Sequence, residues 1–236
     1  MSTQQSPPDS STALWEALSA SWSHAQRSLR TSCKRLWHKP WTRAALHEYW
    51  KAPPDAVNAP EKYLQHEARN AFLVQLVSQH VDKSARILEV GCNVGRNLAA
   101  LHRSGFQQLA AIEISAPALA ALRQHFPEMA ATTTLYNSPV EDVVRTFKAG
   151  QFDLVFSMAV FEHLHPDSDW VFKELARVAG QRLITIEDER CVSHRHFPRN
   201  YQKIFEPLGW RQVSMTADLT SADLSPSFVA RCFEKA

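Results

Sequence analysis

Short apolar runs alternate with amphipathic segments along the chain from residue 86 onward. The runs that predict strands are ARILEV, QLAAIEI, TTTLY, FDLVFSM, RLITIED, RQVSMT and SFVARCF. The segments with helical periodicity between them are 97–103, 117–125, 140–147, 167–178 and 198–208. Because strands that alternate with helices form parallel sheets covered on both faces, the pattern predicts an α/β fold with a doubly wound, mostly parallel, seven-stranded sheet.

The earlier part of the chain has a helical pattern instead. Apolar residues within 14–36 follow one another in steps of 4, 4, 3, 4, 4 and 3, which is the period of a long amphipathic helix. Pro40 ends or kinks this helix. Two further helical stretches follow, at 42–50 and 61–81. We therefore expect a tail and an α-helical N-terminal cap over residues 1–60, ahead of a domain over 61–236.

Composition and charge exclude several classes of protein. A hydrophobic share of 44% is enough for an ordinary core, and a net charge of +2 gives no case for nucleic-acid binding. The four cysteines form neither a CxxC pair nor a zinc spacing, which suits a reducing compartment. No apolar run approaches the roughly 20 residues of a membrane span, and the polar N-terminus lacks the apolar core of a signal peptide. The sequence thus predicts a cytoplasmic protein.

The turn after the first predicted strand carries the clearest chemical signal. The chain has only six glycines, yet Gly91 and Gly95 both lie within the stretch ILEVGCNVGRNL. A dinucleotide fingerprint G-x-G-x-x-G would also need glycine where the chain has Asn93 and Arg96. The phosphate-binding pattern G-x-x-x-x-G-K-[ST] is absent as well. The turn instead has an acidic residue, one residue, glycine, three residues and glycine, starting at Glu89.

Three sequence blocks, in order and at the expected spacing, resemble the class I S-adenosylmethionine-dependent methyltransferases. They are ILEVGCNVGRNL, LAAIEIS and FDLVFSMAVFEHLHP. The resemblance covers residues 86–190 and points to the small-molecule branch that includes the ubiquinone-type methyltransferases. It implies a Rossmann-like fold, S-adenosyl-L-methionine as the cofactor, and methyl transfer to a small-molecule acceptor through an oxygen atom. The Asn/Asp-Pro-Pro-Tyr/Phe block of enzymes that methylate DNA bases is absent.

The resemblance also implies which residues hold the cofactor. Glu89 would help to anchor the amino group of the cofactor, Glu113 would accept hydrogen bonds from its ribose hydroxyls, and Ile114 would pack on its adenine face. The alternative is that both glutamates are incidental polar residues at strand ends. Asn93 replaces the usual glycine, and asparagine is the residue that tolerates a positive φ best after glycine. The expected cofactor-binding residues are Glu89, Gly91, Asn93, Gly95, Glu113, Ile114, Pro139, Val140, Glu141, Ser157 and Met158.

Two polar loops, after the fourth and fifth predicted strands, form the expected acceptor side. His163 in the first loop is the expected general base, because the ordinary pKa of an imidazole suits proton transfer near neutral pH. His194 in the second loop is the other expected catalytic residue, although it could instead grip an anionic acceptor together with Arg195 and Arg199. For the first loop, a purely structural turn at Glu162 and His163 is the alternative.

A divalent metal is an alternative that the sequence leaves open without favouring it. Ubiquinone-type and small-RNA 2′-O-methyltransferases hold such an ion with a Glu-x-x-Glu-His block, which here reads Ala159-Val160-Phe161-Glu162-His163. Because alanine stands at the first ligand position, the block is broken. Glu162, His163, Glu189 and His194 could still form an oxygen and nitrogen site, but we expect a site without metal.

The N-terminal helix raises a second functional hypothesis. Five of the seven tryptophans lie in the first 50 residues, and residues 24–43 contain six Lys or Arg and no Asp or Glu. We expect such a helix to cap the domain or to form a homodimer contact, while a peripheral membrane contact and RNA contact stay open. If the helix docks on a membrane or on RNA, the chain would act on an RNA, glycan or lipid-linked substrate, or would serve as a methyltransferase-like binding module that docks through this helix.

Overall fold

The computed structural model describes residues 39–54 and 58–236 of the 236-residue chain. Trp41–Ala236 form one compact unit. The amphipathic helix expected within residues 14–36 lies outside the described residues, so its proposed roles stay predictions. The domain boundary expected at residue 60 also stays a prediction.

A seven-stranded sheet forms the centre of this unit. Its strands are β1 (Ile87–Val90), β2 (Leu109–Glu113), β3 (Thr134–Asn137), β4 (Phe152–Met158), β5 (Ala179–Asp188), β6 (Trp210–Thr216) and β7 (Phe228–Lys235). Their order across the sheet is β3-β2-β1-β4-β5-β7-β6. Strands β1 to β5 run parallel, whereas β7 runs antiparallel to both β5 and β6. The doubly wound, Rossmann-like α/β fold expected from the alternating pattern is therefore confirmed.

Helices cover both faces of the sheet. They are α1 (Arg43–Lys51), α2 (Glu67–Ser78), α3 (Arg96–Arg103), α4 (Ala116–His125), α5 (Pro127–Thr132), α6 (Val140–Val143), α7 (Trp170–Val178) and α8 (Tyr201–Phe205). Residues of α2 to α5 share one apolar layer, which contains Leu73, Leu98 and Leu119. Residues of α6 to α8 share the other, which contains Phe172 and Phe205. None of the helices in the described part of the chain combines the length and apolar character that crossing a bilayer requires.

The pairing register brings the carboxyl ends of the parallel strands to one edge of the sheet. Val90 at the end of β1 pairs with Ile112 on β2 and with Ser157 on β4. The strand order reverses between β1 and β4, since β2 and β3 lie to one side and β4 and β5 to the other. Ligands of doubly wound sheets bind in the crevice at such a point, so the fold places the candidate site there.

Helix α1 confirms the helix predicted over residues 42–50. Thr42 caps it, since its Oγ1 accepts a hydrogen bond from the Ala45 amide at 3.2 Å. Just before the helix, the Trp41 amide donates to the His194 carbonyl oxygen at 2.8 Å. This contact ties the start of α1 to the loop between β5 and α8.

Several predicted helices have other bounds; the helix predicted over residues 61–81, for example, is a 3₁₀ turn at Pro60–Tyr63 followed by α2. Two further local features differ from the sequence pattern. A glycine two residues after a helix, such as Gly180 after Val178, usually closes that helix with a positive φ. Gly180 is instead the second residue of β5 and lacks a positive φ. A Cβ at Gly180 would lie 3.3 Å from the Phe152 carbonyl oxygen, so close strand packing explains this glycine. The second difference is α5, which the pattern does not predict and which begins at Pro127.

Candidate functional site

A cavity of about 450 Å³ lies at the carboxyl edge of the sheet. Part of its lining comes from the turns after β1, β2 and β3 and from the end of β4; we call this part the strand wall. The rest includes α1, the 3₁₀ turn Phe161–His163 with the residues that follow it, and the loop between β5 and α8; we call these the helix wall. The cavity has the size that small-molecule sites usually have, so its lining is the candidate functional site.

The turn after β1 has three residues in the left-handed region. They are Gly91 at φ 75°, Asn93 at φ 48° and Gly95 at φ 74°, which confirms the backbone conformation expected of Asn93. A Cβ at Gly91 would lie 2.4 Å from Val160 Cγ2, so glycine lets the turn pass close to the end of β4. At Gly95 a Cβ would lie 2.5 Å from Leu122 Cδ1. Gly91 lines the cavity, whereas Gly95 packs against α4 behind the turn.

Glu113 at the end of β2 belongs to the strand wall. Its Oε2 accepts a hydrogen bond from the Asn93 amide at 2.7 Å, and its Oε1 accepts one from the Ser115 amide at 2.8 Å. Burial raises the pKa of this carboxyl, while its backbone donors act in the opposite direction. Glu113 therefore links the turn after β1 to the turn after β2 at the edge of the cavity.

Glu89, Arg96 and Asn97 form a buried polar cluster behind the turn after β1. Asn97 Nδ2 donates to Glu89 Oε1 at 2.7 Å, and Arg96 Nη2 donates to Asn97 Oδ1 at 2.8 Å. Burial raises the pKa of Glu89 to about 8 and lowers the pKa of Arg96 to about 10. Arg96 and Asn97 line the cavity, whereas Glu89 lies behind the lining.

The other residues expected at the cofactor divide between lining and support. The residues that line the strand wall are Ile114, Pro139, Val140, Glu141 and Met158. Ser157 is fully buried, and its Oγ donates to Glu187 Oε1 at 2.6 Å. Glu187 Oε2 also accepts from the Val160 amide at 2.9 Å. Ser157 therefore supports the end of β4 from behind the cavity.

His163 lies on the 3₁₀ turn after β4 and lines the helix wall. Its Nδ1 lies 2.9 Å from the Arg195 carbonyl oxygen. Because a carbonyl oxygen only accepts, this contact assigns the proton to Nδ1 and leaves a lone pair on Nε2. Burial and the nearby His196 lower the pKa of His163 to about 3. The imidazole is therefore neutral near pH 7, with its ring centre 4.6 Å from that of Trp50.

The loop between β5 and α8 brings His196 to the cavity in the place where the sequence suggests His194. The ring of His194 lies against Trp41, with ring centres 4.6 Å apart, and His194 is outside the lining. His196 lines the helix wall, and its ring centre lies 4.5 Å from that of His163. A backbone bridge between Ser193 and His196 folds the loop into this arrangement.

Of the charged residues considered for the acceptor side, Arg195 lines the cavity, while Arg199 and Glu189 have structural contacts. Arg199 donates to three backbone carbonyls and to the Asp169 carboxylate. Glu189 forms a two-bond ion pair with Arg231, at 2.7 and 2.8 Å. Arg195 lies in the helix wall, with its Cζ 4.8 Å from the Tyr49 ring centre. Arg195 is thus the arginine of this loop that a ligand can reach.

A family model described as a methyltransferase domain matches residues 88–182. The chain carries an S-adenosylmethionine-dependent methyltransferase domain. The family, the enzyme class and the cofactor implied by the three sequence blocks are thereby confirmed. No curated protein matches the chain at a significant level.

Solved structures share the fold of this methyltransferase domain. Magnesium protoporphyrin IX methyltransferase from Synechocystis, with bound S-adenosylhomocysteine, has a TM-score of 0.61 at 15% identity, covering 82% of this chain and 99% of that chain. A protein described as a sarcosine dimethylglycine methyltransferase, from Galdieria sulphuraria, has a TM-score of 0.58 at 14% identity, with coverage of 71% and 85%. The [4+2]-cyclase SpnF reaches 0.63 at 13% identity, with coverage of 84% and 97%. These likenesses show the fold, and the cyclase illustrates that a fold does not determine a reaction.

The strand wall of the methyltransferase domain fits the polar groups of S-adenosylmethionine. Three buried side-chain atoms in this wall or directly behind it have no hydrogen-bond partner among the described residues: Arg96 Nη1, Glu89 Oε2 and Asn93 Oδ1. Buried polar atoms in folded proteins are usually hydrogen-bonded. A ligand with a carboxylate, an ammonium group and ribose hydroxyls offers partners for the donor on Arg96, the acceptor on Asn93 and the carboxyl group of Glu89.

Three side chains of the helix wall could hold a metal ion. One ligand atom each from Glu162, His163 and His196 lie within 4.8 Å of one another. One carboxylate oxygen and two imidazole nitrogens suit first-row divalent metals. The Nδ1 atoms of both histidines already contact oxygen atoms of the loop between β5 and α8, as is usual for histidines that bind metals. This set differs from the one the sequence suggested, because His196 takes the place of Glu189 and His194.

Sequence reasoning missed two contributions to the cavity. The first is α1, from which Leu46, His47 and Trp50 line the helix wall; His47 Nε2 lies 3.0 Å from Glu141 Oε1 and so ties α1 to the strand wall. The second is Arg96, which the glycine pattern treats only as a missing glycine. An arginine placed directly after the glycine turn is the signal that the sequence offers for it.

Proposed function

We propose that the methyltransferase domain transfers a methyl group to an oxygen atom of a small anionic acceptor held at the helix wall. The supporting observation is one cavity lined by Gly91 and Asn93 of the turn after β1 and also by His163 and Arg195. The cofactor and the acceptor would then share one enclosed space. Such positioning is the main contribution that a protein makes to a displacement between two bound reactants.

Bound S-adenosylmethionine supplies a methyl group on a positively charged sulfur, which an oxygen nucleophile attacks. The part of His163 follows from its hydrogen bonding and its pKa. Its Nε2 lone pair can accept a hydrogen bond or a proton from the acceptor, because its Nδ1 proton faces the Arg195 carbonyl oxygen. With a pKa lowered to about 3, His163 is a weak base. It suits an oxygen that is already anionic or easily deprotonated, such as a carboxylate or an acidic phenol, and not an aliphatic alcohol.

Arg195 supports an anionic acceptor. None of the ion pairs within the described part of the chain includes it, and its Nη1 donates to the Tyr49 hydroxyl. Its guanidinium can therefore pair with an anionic group, for which arginine has a suitable fork of donors. Leu46 and Trp50 add apolar surface to the same wall. An acceptor with a small apolar body and an acidic oxygen matches this combination.

Cofactor binding can be tested by calorimetry with S-adenosylhomocysteine. We expect Gly91→Arg to abolish binding, because a side chain at this position meets Val160 and enters the strand wall. Gly105→Arg is a matched control, since Gly105 also has a positive φ and a Cβ there would lie 3.9 Å from its nearest neighbour, Lys83 Cδ. Unchanged binding by the Gly91 variant would contradict the assignment of the turn.

Acceptor class can be tested with S-adenosylmethionine carrying a labelled methyl group. Carboxylates, phenols, alcohols and amines of similar size would be offered in parallel. We expect carboxylates and acidic phenols to be methylated, Arg195→Met to raise KM for them about 10- to 100-fold, and His163→Gln to act mainly on kcat. Preferred methylation of amines or aliphatic alcohols would reject the proposed acceptor.

A second candidate is metal-assisted transfer, which the cluster of Glu162, His163 and His196 favours. The test is zinc titration of the purified protein, together with its metal content after dialysis. We expect His196→Ala to remove the binding site and His125→Ala, on the exposed end of α4, to leave it intact. Equal zinc binding by the His196 variant and the unchanged protein would exclude the cluster as the site.

The N-terminal residues 1–60 are proposed to act on the acceptor side as a cap. Docking on a membrane, RNA or a second copy through the basic helix is the remaining alternative. Full activity of a chain without residues 1–38 on the true acceptor would show that docking is dispensable.

A further inference from the structure

The side chain of Arg195 in the helix wall contacts uncharged groups of α1 in the part of the chain that the structure describes. Its Nη1 donates a hydrogen bond to the Tyr49 hydroxyl oxygen. Its Cζ lies 4.8 Å from the Tyr49 ring centre and 5.8 Å from the Trp50 ring centre. A phenol oxygen and an aromatic face attract a guanidinium without cancelling its charge, which a carboxylate would do. The side chain is therefore restrained while its positive charge is kept for a ligand.

A chain of hydrogen bonds fixes the Tyr49 hydroxyl in turn. Asn58 Nδ2 donates to it at 2.7 Å, and the Tyr63 hydroxyl donates to Asn58 Oδ1 at 2.9 Å. The Tyr49 oxygen thus accepts from two donors, one on Arg195 and one on Asn58. Arg195, Asn58 and Tyr63 line the cavity, whereas Tyr49 lies outside the lining. Tyr49 can therefore influence a bound ligand only through another residue.

The backbone of Arg195 is fixed independently of Tyr49. Its amide donates to Ser193 Oγ at 3.2 Å, and its carbonyl oxygen lies 2.9 Å from His163 Nδ1. The contact with Tyr49 thus determines where the guanidinium lies, while the position of the His163 ring depends on the backbone. An arginine side chain loses conformational entropy when a ligand orders it, and a side chain that is ordered beforehand avoids this loss on binding.

We propose that Tyr49 is a positioning residue that holds the Arg195 guanidinium in place for the anionic group of the acceptor, an inference that rests on the proposed function. The Tyr49 hydroxyl then favours acceptors by their charge, because it acts through Arg195. The chain from Tyr63 through Asn58 connects this support to the segment that follows α1. An anionic acceptor meets a donor that is already in place, whereas a neutral molecule of the same shape gains nothing from it.

The test compares benzoate with benzamide by calorimetry at saturating S-adenosylhomocysteine. Benzoate has the apolar body and the anionic oxygen proposed for the acceptor, and benzamide has nearly the same shape without the charge. We expect the unchanged protein to bind benzoate about 10- to 100-fold more tightly, the size of a charge-assisted hydrogen bond. Tyr49→Phe keeps the ring and removes the hydroxyl. It should reduce this preference about 2- to 10-fold, the size of an ordinary hydrogen bond, and leave the affinity for benzamide unchanged.

Two further variants separate positioning from folding. Arg195→Met should abolish the preference, and Tyr49→Phe added to it should have no further effect, because the hydroxyl acts through the guanidinium. Tyr136→Phe removes a hydroxyl from β3, outside the cavity lining, and should keep the full preference. In the labelled-methyl assay with carboxylates, Tyr49→Phe should raise KM and leave kcat unchanged, since the contact between His163 and the Arg195 backbone stays.

Several outcomes would overturn the assignment. An unchanged preference in Tyr49→Phe, or equal weakening of benzoate and benzamide, would show that the hydroxyl does not position Arg195. A further loss of benzoate affinity when Tyr49→Phe is added to Arg195→Met would show that Tyr49 acts without Arg195. If the unchanged protein does not prefer benzoate, or if Arg195→Met keeps the preference, the anionic acceptor site of the proposed function itself fails.

Discussion

Alanine at Gly91 introduces two separate costs in the turn after β1. The backbone of Gly91 has φ 75°, and a residue with a Cβ pays roughly 1–2 kcal/mol in this left-handed region. The new Cβ would also lie 2.4 Å from Val160 Cγ2 and 2.8 Å from Val160 Cγ1. Overpacking of this kind typically costs about 1–3 kcal/mol. We therefore expect Gly91→Ala to lower the free energy of unfolding by about 2–5 kcal/mol.

Two variants isolate these costs. Gly209 has φ 85°, and a Cβ there would meet nothing within 4 Å. Gly209→Ala should therefore show the conformational cost alone, about 1–2 kcal/mol. Val160→Ala in the Gly91→Ala background removes the two closest contacts and leaves the backbone conformation unchanged. Gly91→Ala should therefore lower the free energy of unfolding less when it is added to Val160→Ala than when it is added to the unchanged protein, because most of its packing cost is absent there.

The measurement is urea unfolding followed by circular dichroism, with the four variants compared at one pH. The interaction between positions 91 and 160 is then the difference between the effect of Gly91→Ala in the two backgrounds. If Gly91→Ala costs no more than Gly209→Ala, or if Val160→Ala does not reduce its effect, the contact with Val160 does not explain the glycine.

Three other changes have defined outcomes. Burial raises the pKa of Glu89 from 4.5 to about 8, so between these pH values the folded state keeps a proton that the unfolded state releases, and stability falls as pH rises. Glu89→Gln should remove this part of the pH dependence of the free energy of unfolding, measured from pH 5 to 8. An unchanged pH dependence would contradict the raised pKa. Glu189→Gln removes the carboxylate that balances the charge of the buried Arg231 and should cost about 3–5 kcal/mol in urea unfolding. A cost below about 1 kcal/mol would show that water or another group, such as Gln212, which already accepts from Arg231, compensates for the lost charge. Thr42→Ala removes the cap on the Ala45 amide and should cost about 1 kcal/mol, with Thr42→Ser close to neutral in the same thermal unfolding assay.

The sequence predicts the strand wall well because its determinants are local. A strand, a turn and a helix start follow each other within ILEVGCNVGRNL, so spacing alone fixes which backbone atoms face the crevice. The positive φ of Asn93 follows from the residue type and the turn. Arg96, the first residue of α3, appears in the sequence pattern only as a missing glycine, and the structure was needed to show that its Nη1 is buried without a hydrogen-bond partner among the described residues.

The helix wall depends on contacts between distant segments, which a sequence pattern does not contain. The sequence favours His194, whereas in the structure the loop, with its bridge between Ser193 and His196, places His196 at the cavity. The Phe197 amide also donates to the Glu162 carbonyl oxygen at 2.7 Å, which draws the loop towards the turn after β4. Such pairings depend on the folded sheet, so the composition of the loop indicates the loop that lines the cavity but not which of its histidines does so.

The division of the cavity into two walls has a consequence for how such chains diverge. The strand wall lies within residues 88–182, the part that the family model recognises, whereas α1 and the loop bearing Arg195 and His196 lie outside it. Substitutions in these two outlying segments can alter the shape and charge of the proposed acceptor side without changing the turn after β1, where we propose that the methyl donor binds. A lineage could therefore change its substrate while remaining recognisable as the same kind of enzyme, and an engineer could exchange these segments for the same purpose.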